Sequence, residues 1–438
     1  MIASQFAELN NRIFPKLQNI VETERGERNG RKKRTYLHKT MLTKLYSPDQ
    51  TWNAASVDTR YVMADNIAMN SPLPIKKRDS ISSASGKLPK QGISRPMEES
   101  DINSVNIMKA QGGQWLQVAA KLTQDPVFCS VGLDEVNEYN FLTALCEGIV
   151  AVKDENNTGT ALRINFGYLE KNSFGVETPG ELTLDDIERV LDAAAAAGDV
   201  ITTIALDEQR YKALRNTRGA KEMVANYRGQ TFTDTSTLPV PSSSAFDEAF
   251  KDQYGDIDFL RINRSCLVEK NGKQKSVKPW NTNRLVYLTT TMVGKLVWGT
   301  LAEKTAPVAG VNYQTIDEYK LISKFRTTNP LTETTAGQMM ALTVIEGVDQ
   351  IYCQDITEGQ EVNTTEEAKD TTDVKITVWD TTYKKPEFIT ALKAYVPGIK
   401  SNASDATVIK AVNSLSAADE AALKQDVEAH KAPASTGA

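Results

Sequence analysis

LDEVNEYNFLTALCEGIVAV, residues 133–152, carries the chain's strongest helical pattern. Leu142, Leu145, Ile149 and Val152 recur on one face, and Asp134 and Glu135 suit the positive end of a helix dipole. At 1.5 Å per residue the pattern predicts a rod of roughly 30 Å. A glycine-containing turn, NNTG (156–159), then leads into ALRINFGYLE (161–170). There Leu162, Ile164, Phe166 and Tyr168 alternate as on a half-buried strand.

Upstream, residues 1–24 read as a helix with Ile13, Leu17, Ile20 and Val21 on one face, and QWLQVAAKL (114–122) as a separate helix. Between them lies RGERNGRKKRTYLHKT, a basic stretch centred on Arg31, Lys32, Lys33 and Arg34. A second unusual segment is PLPIKKRDSISSASGKLPKQGISRPMEES (72–100), with four prolines and only isolated apolar side chains. Ordering its backbone costs on the order of 1–2 kcal/mol per residue. Leu73, Ile75, Ile81, Leu88, Ile93 and Met97 are too spread out to bury one another, so either the arm is disordered in the isolated subunit or a neighbour orders it. Its layout favours the second. β-compatible pieces flank DSISSASGK (79–87), which reads as a flexible tip, and Lys76, Lys77, Arg78, Lys87, Lys90 and Arg95 line the arm. A reaching hairpin that pairs with an acidic neighbour is the expectation.

Downstream, LTLDDIERVLDAAAAAG (182–198) opens on a capping-box pattern, Thr183 and Asp186, buries Ile187, Val190 and Leu191, and stops at Gly198. The strand VITTIAL and the helix DEQRYKALRN follow, an α/β layer continued by RLVYLTTTMVG and KLVWGT. Residues 229–283, rich in Ser, Thr, Pro and charge, read as long loops at one rim. YKLISKFRTT, QMMALTVIE and QIYCQDI form three β-rich runs. TEGQEVNTTEEAKDTTD is an acidic linker; after it VKITVWD reads as a strand and 386–431 as short alanine-rich helices, the last capped by Ser416 and Asp419.

The 438 residues are 40% hydrophobic and 24% charged, an ordinary globular composition sufficient for two or three domains. The net charge of −5 hides a split: residues 1–100 carry 17 Lys+Arg against 10 Asp+Glu, and the rest carry 34 against 46. A basic front on an acidic body attracts polyanions to the front, or one copy's front to another copy's body. The opening MIASQFAELNNRIFPKL is interrupted by Asn10, Asn11 and Arg12 and does not read as a signal peptide, and no apolar run reaches bilayer-spanning length. A cytoplasm-like compartment is expected. Cys129, Cys146, Cys266 and Cys353 stand singly and read as small buried hydrophobes. Two histidines, His38 and His430, leave little for imidazole catalysis. Asp185–Asp186 and Glu366–Glu367 read as capping or solvated carboxylates, VGKL (293–296) lacks the rest of a phosphate-binding loop, and no GxGxxG or GxSxG occurs. The expectation is a protein without catalytic residues, metal or cofactor.

The order of elements resembles the major capsid proteins of tailed bacteriophages, the Hong Kong 97 fold. LDEVNEYNFLTALCEGIVAV followed by NNTGTALRINFGY is similar to that family's spine helix running into its peripheral domain. LTLDDIERVLDAAAAAGDVITTIALDEQRYKAL resembles the opening of its axial domain. NRLVYLTTTMVGKLVWGT and KFRTTNPLTETTAGQMMALTVIEGVDQIYCQDI resemble the late axial strands and the return in capsid proteins like that of phage lambda. The resemblance implies an α+β fold with an N-terminal arm (1–53), an extended loop (54–104), the spine helix and first part of the peripheral domain (105–180), an axial domain (181–317) and a return through the peripheral domain (318–356). Residues 357–438, an acidic linker and a mainly helical C-terminal extension, have no counterpart in the family pattern.

It further implies a structural protein assembling as pentamers and hexamers into the icosahedral head of a double-stranded DNA phage, in the virion after assembly in a bacterial host cytoplasm. The implied partners are the chain itself, portal, scaffolding and decoration proteins, and packaged DNA held without sequence-specific contact; no membrane is implied. Lys76, Lys77, Arg78, Lys87, Lys90 and Arg95 would make inter-subunit contacts through the extended loop, and Arg31–Arg34 would be the arm's basic cluster. Some family members cross-link a loop lysine to a neighbour's asparagine, and Lys76, Lys77, Lys87 and Lys90 are available for that. Two alternatives stay open: an encapsulin-like nanocompartment shell, and a nucleic-acid-binding protein using residues 25–44.

Overall fold

The computed structural model describes residues 4–24, 35–57, 81–110, 115–152, 162–230, 238–270, 272–360, 375–379, 381–396, 405–415 and 417–427. The chain divides into two compact units, 1–360 and 361–438.

In the first unit, α1 (Ala7–Ile13) and α2 (Leu17–Glu24) are joined by a single 3-10 turn containing Pro15. Ile13, Leu17 and Val21 are buried, as the sequence pattern requires. α3 (His38–Met41) and β1 (Leu42–Tyr46) lead to β2 (Thr51–Val57), β3 (Ile81–Lys87), β4 (Lys90–Met97) and α4 (Glu99–Ala110). β2 and β3 form an antiparallel ladder from Thr51↔Lys87 to Val57↔Ile81. The DSISSASGK segment is therefore largely a strand of the hairpin and not its tip; a hairpin is present, but residues 58–80 between its strands lie outside the described residues. β4 pairs with a strand of its own subunit, so this part of the arm is ordered without a neighbour.

α5 spans Trp115–Glu147, 33 residues and roughly 50 Å. QWLQVAAKL and the 133–152 pattern thus form one helix that runs through Pro126. The missing hydrogen bond at Pro126 is outweighed by a buried face including Leu122, Cys129, Leu133, Phe141 and Leu145. Gly148, at φ +66, ends it, and Ile149–Val152 is a strand (β5) paired with β6 (Leu162–Asn165), not helix. Asp134 and Glu135 accordingly sit mid-helix, away from its positive end.

The chain continues through β7 (Ser173–Val176), α6 (Leu184–Ala197), β8 (Thr203–Asp207), α7 (Glu208–Asn216), α8 (Arg218–Tyr227) and α9 (Ser243–Tyr254). The α6 capping box of Thr183 and Asp186 forms, and Gly198 ends the helix at φ 87. Next come β9 (Asp258–Ile262), β10 (Cys266–Lys270), β11 (Lys273–Val277) and β12 (Arg284–Leu288). Residues 229–283 are therefore not chiefly loops. Ser242 caps α9, and Phe246 and Phe250, one turn apart, bury its inner face. β13 (Gly294–Trp298), α10 (Ala302–Thr305), β14 (Asn312–Ile316), β15 (Lys320–Thr328), β16 (Leu331–Ile345) and β17 (Ile351–Gly359) complete the unit.

Two sheets organise it. One runs β1-β13-β16-β15-β14, with β4 also on β16; the other runs β7-β17-β12-β8-β9. α5 lies across the first sheet, and Gly337 of β16 permits the close approach. A Cβ there would stand 2.9 Å from Cys129 Cβ and 3.4 Å from Leu133 Cδ1, both on the helix. The shared core holds Leu133, Phe141, Leu145, Trp280, Val286, Leu296, Met339 and Leu342, and a separate core under α6–α9 holds Ile187, Tyr211, Phe246 and Phe250.

The second unit has an antiparallel hairpin, β18 (Lys375–Val378) and β19 (Thr381–Lys384), then α11 (Lys385–Leu392), α12 (Asp405–Asn413) and α13 (Ala417–Val427). Ile376, Phe388, Leu392, Val408, Leu423 and Val427 form its own core. The Ser416 cap lies outside the described residues. No helix among the described residues is long and apolar enough to cross a membrane.

Candidate functional site

The midpoint of α5 gathers a cluster of buried charge: His38, Asp134, Glu138 and Lys320. At the start of α3, Leu37 N and His38 N donate to Glu138 at 3.0 Å each, and His38 Nδ1 lies 2.7 Å from the same carboxylate. Tyr36 OH and Arg264 Nη2 donate to Glu135 Oε1 at 3.0 and 2.8 Å. Asp134, fully buried, pairs with Lys320 at the start of β15 and with Lys39 at 3.3 Å. Lys39 and Lys320 also bracket Asp317 at 2.8 and 2.7 Å. Gln18 of α2 completes the link, accepting from Asp317 N at 3.0 Å. Ion pairs thus fasten α3 and the 317–320 turn to the long helix, and the Gln18 amide ties α2 to that turn.

Electrostatics follow from this packing. Burial acts to raise the Glu138 carboxyl, but hydrogen bonds from His38 and Leu37 outweigh it and hold it below its ordinary value. Burial likewise opposes ionisation of Asp317, and the Lys320 and Lys39 ammoniums overcome it, placing that carboxyl well below the usual range. Tyr36 is pushed above the ordinary phenol value by burial and by Glu135 and Asp134. Every group here is engaged in holding another, and none pairs an acid with a base across open space.

The cysteines are all buried, and burial pushes the Cys129 and Cys353 thiols up to about 12 and Cys266 up to about 11. Such thiols are poor nucleophiles at neutral pH. Among the described residues no group of three or more His, Cys, Asp or Glu could hold a metal ion. A cleft of about 250 Å³ lined by residues of β1, the β12–β13 connection and the 346–351 turn has a single charged wall group, Glu346, which faces Lys295 at 2.8 Å.

Of the basic residues singled out in the sequence, Arg31, Lys32, Lys33, Arg34, Lys76, Lys77 and Arg78 lie outside the described residues. Lys87 stands at the hairpin base opposite Thr51, and Lys90 opposite Met340. Arg95 is on β4 opposite Thr335; its guanidinium is 3.5 Å from Asp125 and 4.9 Å from the Phe128 ring centre, both on α5 of the same subunit. The structure does not gather these residues into one cluster. The sequence reading missed the pairing of Asp134 and Glu138 with Lys320 and His38. The available signal was the placement of two carboxylates, four residues apart, beside Asn137 on the apolar side of a helix.

The β2–β3 hairpin is the other distinctive element. Its base is anchored by Trp52, which is buried against the core, and Gly86 opposite it leaves room for the indole: a Cβ there would lie 2.9 Å from Trp52 Nε1. The ladder then continues to Val57↔Ile81 and joins neither large sheet.

No protein-family model matches the chain, and no curated protein matches it. Among solved structures it is similar to a prophage protein of Escherichia coli CFT073 described as a capsid protein, at 14% identity and TM-score 0.47, over 79% of this chain and 98% of that one. It is also similar to a phage-related protein of Bordetella bronchiseptica RB50, at 9% identity and TM-score 0.41, over 78% and 97%. A third is the capsid subunit of cyanophage A-1(L), at 13% identity and TM-score 0.41, over 74% and 93%.

Proposed function

We propose that the chain is the major capsid protein of a tailed double-stranded DNA phage, a subunit that self-associates into a closed icosahedral shell. The observation that carries this reading is the pairing of two features in one subunit: a two-stranded hairpin that joins neither large sheet, and a 33-residue helix crossing the first sheet. Such a hairpin is marginal alone in water and gains stability by lying on another surface. The element order agrees with the family resemblance in the sequence: arm, hairpin, long helix, strand after a turn, α/β unit, β-rich return.

On this reading residues 1–53 are the arm, 54–104 the extended loop, α5 the spine helix, 181–317 the axial domain and 318–356 the peripheral return. Lys76, Lys77, Arg78, Lys87, Lys90 and Arg95 contact adjoining copies, while portal and scaffolding proteins take part in assembly and DNA fills the interior of the virion. Modest contacts suffice, because each subunit in a shell is held by several neighbours at once. Negative-stain microscopy of the expressed chain tests this. Closed shells or capsomer rings are the expected result; a monomer at every concentration overturns it.

A further inference from the structure

We infer that the β10–β11 hairpin of one subunit docks on the acidic outer face of α6 in a second copy of the chain; this rests on the self-assembly reading above and names one of its contacts. The hairpin is covered by little of its own subunit. Cys266 at its root is buried against Glu135 of α5, but residues 267–269 and 272–276 are all exposed. Leu267 is 67% exposed and Val268 49%. A two-stranded ladder wet on both faces lacks the packing that normally stabilises one.

Its chemistry specifies the cover. Val268 stands directly opposite Lys275, and Lys273 is two residues away, so all three share a face. Neither lysine has an ion-pair partner among the described residues. Glu269, on the other face, accepts from Gln274 at 3.0 Å. The hairpin thus presents a basic face with an apolar centre.

α6 presents the complement. Asp185, Glu188 and Asp192 are exposed at spacings of three and four, one stripe down the helix, and none has an ion-pair partner among the described residues. Tyr254 reports how closely they crowd: its hydroxyl donates to Glu188 at 3.3 Å and is pushed up to about 12 by burial and by these three carboxylates. The stripe continues into exposed Ala195 and Ala196, with Val200 beyond them 76% exposed. Lysines meeting carboxylates beside small apolar groups is the arrangement a charge-steered contact requires. Because hairpin and stripe are different patches of one chain, the contact is head-to-tail, the kind that closes rings.

The test is a charge swap read by particle counts in negative stain, with each subunit's fold checked by its thermal melt. Lys273→Glu/Lys275→Glu and Glu188→Lys/Asp192→Lys should each reduce rings or shells about tenfold or more, because like charges then face each other. The chain carrying all four changes should recover them. Wild-type yield from both single-side variants, or no recovery in the combined chain, overturns the contact while leaving the shell reading standing. Wild type that forms no particles overturns the shell reading itself. Independently of the variants, a carbodiimide cross-link in mixed ¹⁴N/¹⁵N wild-type particles should join Lys273 or Lys275 of one copy to Glu188 or Asp192 of another. Its absence from fully cross-linked particles also overturns the contact.

Discussion

Asp134 in the middle of α5 and Lys320 at the start of β15, 186 positions apart, meet as an ion pair with both side chains wholly out of water. Lys320→Met leaves Asp134 buried with less compensation and removes one of the two ammoniums on Asp317. Breaking a buried pair in this way costs about 3–5 kcal/mol. A lowered denaturation midpoint for the unassembled subunit is the expected result, measured by chemical unfolding.

The same network sets an acid limit. Burial disfavours the Asp317 carboxylate, yet Lys320 and Lys39 depress its pKa well below the ordinary value, so ionised Asp317 favours the folded chain. That contribution is fully present above the unfolded-state value of about 4 and is lost as pH falls below it towards the folded-state value. Stability should therefore fall as the pH drops below about 4, and Asp317→Asn should show a shallower fall there. Unfolding midpoints across an acid series check this.

Gly337→Ala tests the seat of the long helix on β16. The new methyl would sit 2.9 Å from Cys129 Cβ and 3.1 Å from Ile322 Cδ1, so helix and strand must separate. Overpacking of this kind costs about 1–3 kcal/mol. Gly337→Ala combined with Cys129→Gly should recover part of the loss, read as the melting temperature.

The hairpin's basic segment gives a prediction about assembly. Lys76→Glu/Lys77→Glu/Arg78→Glu should leave the subunit's melt unchanged and abolish shells. Normal particles from this variant, seen by microscopy, would remove these residues from the proposed contacts.

Residues 361–438 possess their own core, from Ile376 and Phe388 to Leu423 and Val427. Expressed alone they should fold and melt cooperatively by circular dichroism. Chain 1–360 should likewise keep a cooperative transition of its own.

What the sequence disclosed was chiefly local chemistry. Thr183, Asp186 and Gly198 define both ends of α6 because caps act within four residues, and the alternation begun at Leu162 and Ile164 marks β6, although that strand ends at Asn165 before Phe166 and Tyr168. The continuity of α5 from Trp115 to Glu147 is not legible locally, because it depends on Leu122, Cys129 and Leu133 being buried against elements far away in the chain. α9 was hidden by the polar residues around it, although Ser242 followed by Phe246, Ala249 and Phe250 is a readable cap and stripe. The partner of β4 lies some 240 residues downstream, and the Asp134–Lys320 pair spans 186. Neither leaves a mark at short range.

The two-sided pairing of β16 makes the preceding segment a chaperone for its own sheet. Leu331–Gln338 pairs with β15 while Glu333–Met340 pairs with β4, so the strand's middle has both rows of backbone groups satisfied. Clipping the chain between β3 and β4 and letting β4 drift away would bare the row of backbone groups over Glu333–Met340, an open template for any other extended polypeptide. Residues 90–97 therefore do more than join the hairpin to α4: they keep an otherwise adhesive edge from being offered to strangers.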